Sequence, residues 1–210
     1  MSATTPQNIV GAAVAASPAF DSRRGLVFVE EILRWNERLG LVSRRDAPAA
    51  CERLVLESLE LLHLVRTRMG ARALRVLDVG SGGGFPGVVW ALTEPASSLL
   101  LVERRAGRAT FLDAMVVRLS LANVVVFAGS VEEIAPRDTY RAAFDVAVAI
   151  AVAPPDALAP KLEPMLAAGG SFVGTCPADS RPVDRVGKCL EWEGDTQGQY
   201  GYYRAYRIPA

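Results

Sequence analysis

The stretch Asp78-Val79-Gly80-Ser81-Gly82-Gly83-Gly84-Phe85-Pro86-Gly87 is where residue types and spacing point to chemistry. It follows an apolar run and opens a helical one. Its glycines at 80, 82, 84 and 87 therefore stand at the carboxyl end of a strand, where absent side chains let backbone amides approach a ligand. The dinucleotide fingerprint G-x-G-x-x-G fails at Phe85, which makes pyrophosphate the less favoured ligand. Glu103 ends the next apolar run, 19 residues after Gly84, about where such folds place a carboxylate that accepts both hydroxyls of a ribose. The expected ligand carries a nucleoside. Gly129 to Glu133, after the third run, supplies walls and backbone groups for its base. The bland alternative is a tight turn at Gly80–Gly87 and a solvated strand end at Glu103. Against it, loop, acid and third-strand end fall on one edge of the expected sheet.

The elements that must position these residues follow from periodicity. Short apolar runs at Leu74–Val79, Ser98–Glu103, Val124–Ala128, Phe144–Ile150 and Ser171–Thr175 alternate with helical segments near 86–94, 106–121 and 155–167, the pattern of a parallel sheet. Val186 to Trp192 and Tyr202 to Ile208 fit a closing antiparallel hairpin. Two helices precede the first strand. Phe28, Ile32, Trp35 and Leu39 line one face over roughly 24–39, ended by Gly40, and Asp46 with Pro48 starts a second helix that stops at Gly70. Residues 1–19 read as a mobile tail, 20–72 as a helical extension and 73–210 as the core, the last two forming one unit.

Composition excludes several classes. Half the residues are hydrophobic and 23 basic side chains balance 23 acidic ones, an ordinary soluble domain that needs no disulfides. No apolar run approaches the ~20 residues of a membrane span. Ile9 to Ala16 faintly resembles a signal-peptide core, but no Lys or Arg precedes it. Cys51, Cys176 and Cys189 suit neither a disulfide framework nor a metal site, so a reducing, cytoplasmic compartment and no metal are expected. His63 is the single histidine, in an apolar helical stretch, which nearly excludes hydrolytic triads. Residues 1–75 carry 11 Arg against 8 acids and residues 76–210 carry 12 basic residues against 15 acids, a small asymmetry. Only Lys161 and Lys188 are lysines, a bias that suits phosphate contacts but also follows from genomic base composition.

The segment DVGSGGGFPG is similar to the S-adenosylmethionine loop of the small-subunit ribosomal RNA guanine-N7 methyltransferases, also called glucose-inhibited division protein B; its Phe-Pro-Gly ending is the specific part. The resemblance extends to Trp35-Asn36, Glu57-Ser58-Leu59, Arg108 to Leu112, Asn123-Val124 and Glu132-Glu133. It implies a class I (Rossmann-like) α/β methyltransferase fold, a mainly parallel seven-stranded sheet with an N-terminal helical extension, and S-adenosyl-L-methionine as cofactor. Carried over by position, Gly80 and Phe85 line the cofactor pocket, Glu103 holds the ribose, and Val131 with Glu132 meets the adenine. Ser81, Gly82, Gly84, Arg104 and Ser130 complete the expected cofactor set. The chain departs from the family at Ala149-Ile150-Ala151, where Ser-Arg-Ala is usual. It departs again at Cys176, where the family often has a lysine, and at Gly40 and Leu54, which match a family asparagine and histidine.

Guanine N7 carries an in-plane lone pair and no proton, so methylation there needs positioning and no general base. Expected RNA contacts are Arg23, Arg24, Arg44 and Arg45 in the extension and Arg104 and Arg105 beside the cofactor edge, with Pro154-Pro155 after the fourth strand as a second substrate candidate or simply a rigid loop. The expected partner is ribosomal RNA or the small ribosomal subunit, approached as a monomer and away from membranes. Two further classes stay open: a methyltransferase for a small molecule, suggested by Ile150, Cys176 and the neutral charge, and a non-catalytic binding relative.

Overall fold

The computed structural model describes residues 4–187 and 190–209; Lys188 and Cys189 lie outside the described residues. Strands β1 (Arg75–Val79), β2 (Ser98–Glu103), β3 (Val124–Ala128), β4 (Phe144–Ala149) and β5 (Leu166–Thr175) run parallel. Strands β6 (Arg185–Val186), β7 (Leu190–Gln197) and β8 (Tyr202–Arg207) complete the sheet in the order β3-β2-β1-β4-β5-β8-β7-β6, with β8 antiparallel to both β5 and β7. The sheet has eight strands against the seven expected: the segment expected as one strand over Val186–Trp192 turns at Gly187, a left-handed glycine, and is divided between the two-residue edge strand β6 and the start of β7. The inner strands β1 and β4 are covered on both faces, so they are buried almost without alternation and are mainly apolar, with the buried Asp78 and Asp145 as the exceptions.

The helices are α1 (Pro6–Ala16), α2 (Ser22–Leu39), α3 (Ala47–Met69), α4 (Gly87–Thr93), α5 (Ala106–Arg118), α6 (Val131–Ile134) and α7 (Pro155–Leu162). Side-chain caps start the long ones: Asp21 accepts the Arg24 N–H at 2.9 Å, and Asp46 accepts the Ala49 N–H at 3.2 Å. Gly40, with a φ of 60°, turns the chain out of α2 in the left-handed conformation. The segment expected as one helix over 155–167 ends at Leu162, where Pro164 supplies no N–H for a further intrahelical bond; a 3-10 turn at Glu163–Met165 then leads into β5, earlier than expected.

Residues 1–19 do not form a tail throughout. Thr5 caps α1, Pro6 occupies its first turn, and Ile9 and Ala13, one helical turn apart, are fully buried. α1 packs on α2 and α3, and its apolar stripe becomes visible only against them. That stripe joins a core cluster in which Ile9, Phe28 of α2 and Val55 of α3 pack with Trp90 of α4 and with Leu101 and Val146 of the sheet. The opposite face buries Leu158 and Leu162 of α7 with Leu77 and Phe172. Polar ties reinforce the first face: Trp90 Nε1 donates to the Ser58 carbonyl at 2.7 Å, and Glu60 accepts from the Tyr200 N–H at 3.1 Å and the Tyr203 hydroxyl at 2.8 Å. Among the described residues no helix is long and apolar enough to cross a membrane.

Because Ile9 is fully enclosed, Ile9→Ala should lower unfolding stability by about 2–4 kcal/mol in urea titrations. A change within error would mean that α1 does not pack on the body in solution.

Candidate cofactor site

Strand order reverses between β1 and β4, and a crevice of about 370 Å³ opens at the carboxyl ends there. Pairing of Val79 with Val102 and of Glu103 with Ala128 sets Gly80, Glu103 and Gly129 side by side. Gly80 and Gly82 both adopt positive φ, 70° and 55°. Gly80 is also a place of close approach: a Cβ there would stand 2.6 Å from Cγ2 of Val152, in the loop after β4. That loop is held by Thr175, whose hydroxyl accepts the Ala151 N–H at 2.8 Å.

Glu103 is only 4% exposed, yet its carboxylate is well supplied with donors. Oε2 accepts the Gly82 N–H at 2.9 Å and Oε1 accepts the Arg105 N–H at 2.8 Å. A carboxylate offers about four acceptor positions, so each oxygen keeps capacity for one more donor arriving from the crevice. A vicinal diol matches that spare capacity.

Asp78 lies beneath the loop, fully buried. Its Oδ2 accepts the Gly87 N–H at 3.0 Å, while Oδ1 is buried without a hydrogen-bond partner among the described residues. Burial pushes the carboxyl up to about 7 against the lowering influence of the Ser81 hydroxyl and the Gly87 N–H, and the Glu103 charge adds to the rise.

The structure brings Gly80, Glu103, Arg104, Arg105, Ser130, Val131 and Glu132 to one crevice wall or rim. Ser130 donates its N–H to the Glu133 carboxylate at 2.8 Å, which shapes the turn into α6. Glu132 pairs with Lys161 at 2.6 Å, and that contact lowers its pKa. Ser81 and Phe85 turn the other way. Ser81 is buried and donates to the Asp78 carbonyl; Phe85, expected in the pocket, packs on Phe28 with ring centroids 5.4 Å apart, because α2 presents an aromatic face behind the loop. Gly84 also faces this side, its missing Cβ leaving room for Val88 and Phe28. Arg44 and Arg45 are exposed on the loop between α2 and α3, and Arg23 and Arg24 start α2 away from the crevice lining, with Arg24 paired to Asp21. Pro154 lines a smaller, neighbouring hollow of about 340 Å³ with Thr175, Cys176 and Pro177; the two hollows share Ala151, Val152 and Ala153, and among the described residues neither Ile150 nor any charged side chain lines the smaller one. Ile150 packs against the core and His63 is exposed on α3. Sequence reasoning assigned no role to Arg108, Val152 or Lys161, all of which line the crevice. Among the described residues no group of three His, Cys, Asp or Glu side chains is placed to hold a metal.

A doubly wound sheet with this strand order, a glycine loop after β1 and a carboxylate ending β2 defines the class I, Rossmann-like methyltransferase fold. Among solved structures, a mutant of MtNAS in complex with S-adenosylmethionine superposes with a TM-score of 0.61 over 90% of this chain and 79% of that one, at 15% identity, a likeness of fold alone. Residues 24–175 match the GidB family, rRNA small subunit methyltransferase G, and the chain belongs to that family. Ribosomal RNA small subunit methyltransferase G of Halorhodospira halophila is 35% identical over 157 residues, covering 75% of this chain and 69% of that protein. Its counterpart from Caldanaerobacter subterraneus is 28% identical over 164 residues, covering 78% and 67%. The chain thus spans about two thirds of the length of these curated relatives.

The Asp78 carboxyl gives the site a pH signature. Its folded pKa of about 7 lies above the ordinary 3.8, so the folded chain holds a proton that the unfolded chain releases. Its contribution to stability is present below about pH 4 and is lost as pH rises to about 7, a change of roughly 4 kcal/mol. The stability difference between the parent chain and Asp78→Asn, from urea titrations across pH 4 to 7, should shift by that order; a difference independent of pH would contradict the burial argument.

Proposed function

We propose that this chain transfers a methyl group from S-adenosyl-L-methionine to N7 of a guanine in small-subunit ribosomal RNA. The observation that carries the reading is Glu103, a desolvated carboxylate with spare acceptor capacity facing a crevice floored by Gly80, in a chain of this family. The residues present fit the cofactor. Glu103 accepts the ribose hydroxyls, the side-chain-free Gly80 and Gly82 admit the methionyl portion against the backbone, and Val131 with the backbone of Glu132 flanks the adenine. Arg104, exposed at the rim, covers the nucleoside from outside. When bound, the cofactor supplies a methyl group on a positively charged sulfur.

What the chain's own residues do is position and exclude water. Val152 and Thr175 define the passage between the cofactor crevice and the smaller hollow, and the acceptor base enters from that side with Pro154 and Cys176 as walls. Because the accepting nitrogen has no proton to lose, the absence of histidine from the crevice lining costs nothing. Arg44, Arg45 and Arg105 contact the RNA backbone. The enzyme acts as a cytoplasmic monomer, on ribosomal RNA or on the small subunit.

One observation favours a second reading, methylation of a small acceptor: the smaller hollow is uncharged and Ile150 stands where the family usually has arginine.

Three measurements test the proposal. Labelled methyl transfer to deproteinised or subunit-bound ribosomal RNA should appear and map to a guanine N7; transfer only to small molecules would select the second reading. In isothermal titration, Gly80→Arg should abolish cofactor binding in a folded chain. Glu103→Ala should weaken it by about 1.5–3 kcal/mol, and unchanged affinity in both would remove the crevice from the account.

A further inference from the structure

We infer that Arg108, together with Arg44 and Arg105, forms a notch for one phosphodiester at the mouth of the cofactor crevice. The inference rests on the RNA reading above and adds to it the place where the strand is gripped. Arg108, in the first turn of α5, is half-buried and reaches back to the end of α2. Its Nε donates to the Leu39 carbonyl at 3.3 Å and its Nη2 to the Gly40 carbonyl. Nη1 lies 3.7 Å from where a Cβ of Gly82 would stand, so the third nitrogen faces the glycine loop. Arg44 converges on the same spot: its Nη2 and that of Arg108 lie 3.9 and 3.8 Å from where a Cβ of Gly40 would stand.

These guanidiniums are gathered without an ion-pair partner. Among the described residues, no carboxylate oxygen comes within ion-pair distance of Arg44, Arg105 or Arg108, whereas Arg66, Arg75, Arg118 and Arg204 each meet one. Glu103 is the nearby acid, outside ion-pair distance of all three, with its two oxygens accepting the Gly82 and Arg105 N–H groups and their remaining capacity assigned above to the ribose. Burial depresses the pKa of Arg108 and the Arg105 charge depresses it further, against the opposite pull of Glu103. Like charges held together by neutral carbonyls repel, and an anion with two oxygens relieves that repulsion while matching the guanidinium fork. A phosphodiester is the anion that a polynucleotide strand brings to the crevice.

The test uses the full chain loaded with cofactor and a labelled, short single-stranded oligoribonucleotide, followed by fluorescence anisotropy between roughly 50 and 200 mM salt. Arg108→Gln should weaken binding about tenfold and reduce the slope of log affinity against log salt by about 0.7, a loss larger than any change in cofactor affinity read by calorimetry on the same variant. Arg105 is exposed, and among the described residues its side chain makes no hydrogen bond or ion pair, so Arg105→Gln gives the same readout with its backbone N–H left in place. Parent-chain binding that both variants reproduce, slope included, overturns the notch alone. Loss of cofactor affinity in Arg108→Gln with an unchanged salt slope also overturns it, assigning Arg108 to the cofactor. No oligonucleotide binding by the parent chain overturns the notch and the RNA reading together.

Discussion

One carboxylate clamped by two backbone amides organises the site. Glu103 ends β2, takes the Gly82 N–H from the glycine loop on one oxygen and the Arg105 N–H from the start of α5 on the other. Such charge-assisted bonds are shorter and stronger than neutral ones, and they allow a nearly enclosed acid to stay in place where burial alone would expel it. The clamp fixes the loop after β1 relative to β2, and the pairing of Val79 with Val102 makes that geometry possible. The crevice is a consequence of this bond pair and of the strand reversal between β1 and β4.

The N-terminal helices belong to the same machinery. α2 stands behind the glycine loop: Phe28 packs on Phe85, and a Cβ at Gly83 would come within 3.2 Å of both Ile32 and Leu41. Its C-terminal carbonyls are held by Arg108 from α5. The loop that carries Arg44 and Arg45 is therefore anchored at one end to the wall of the crevice, with Asn36 accepting the Val42 N–H at 2.8 Å as a second tie. The loop proposed to contact the acceptor is thereby held in a defined place relative to the crevice, which is what a reaction run by positioning requires.

Much of this was legible in the sequence because it is local. Glycine spacing, the interval to Glu103 and the apolar runs are properties of short stretches, and the strands emerged within a residue or two for β1 to β4. What was hidden depends on contacts between distant segments. α1 is rich in alanine and has only a weak apolar face, so its packing became evident only beside α2 and α3. Phe85 sits in the most informative motif of the chain, but the direction of its side chain is set by Phe28, far away in sequence. Arg108 reads as one more surface arginine of a helix until α2 is placed against it, and Val152 reads as loop until it meets Gly80.

The most direct test of the account is a crystal structure of the chain with S-adenosylhomocysteine. The account predicts the two ribose hydroxyls at about 2.7 Å from the Glu103 oxygens, with the Gly82 and Arg105 amides still donating to them. A nucleoside seated elsewhere, or a Glu103 side chain swung away from both amides, would contradict it.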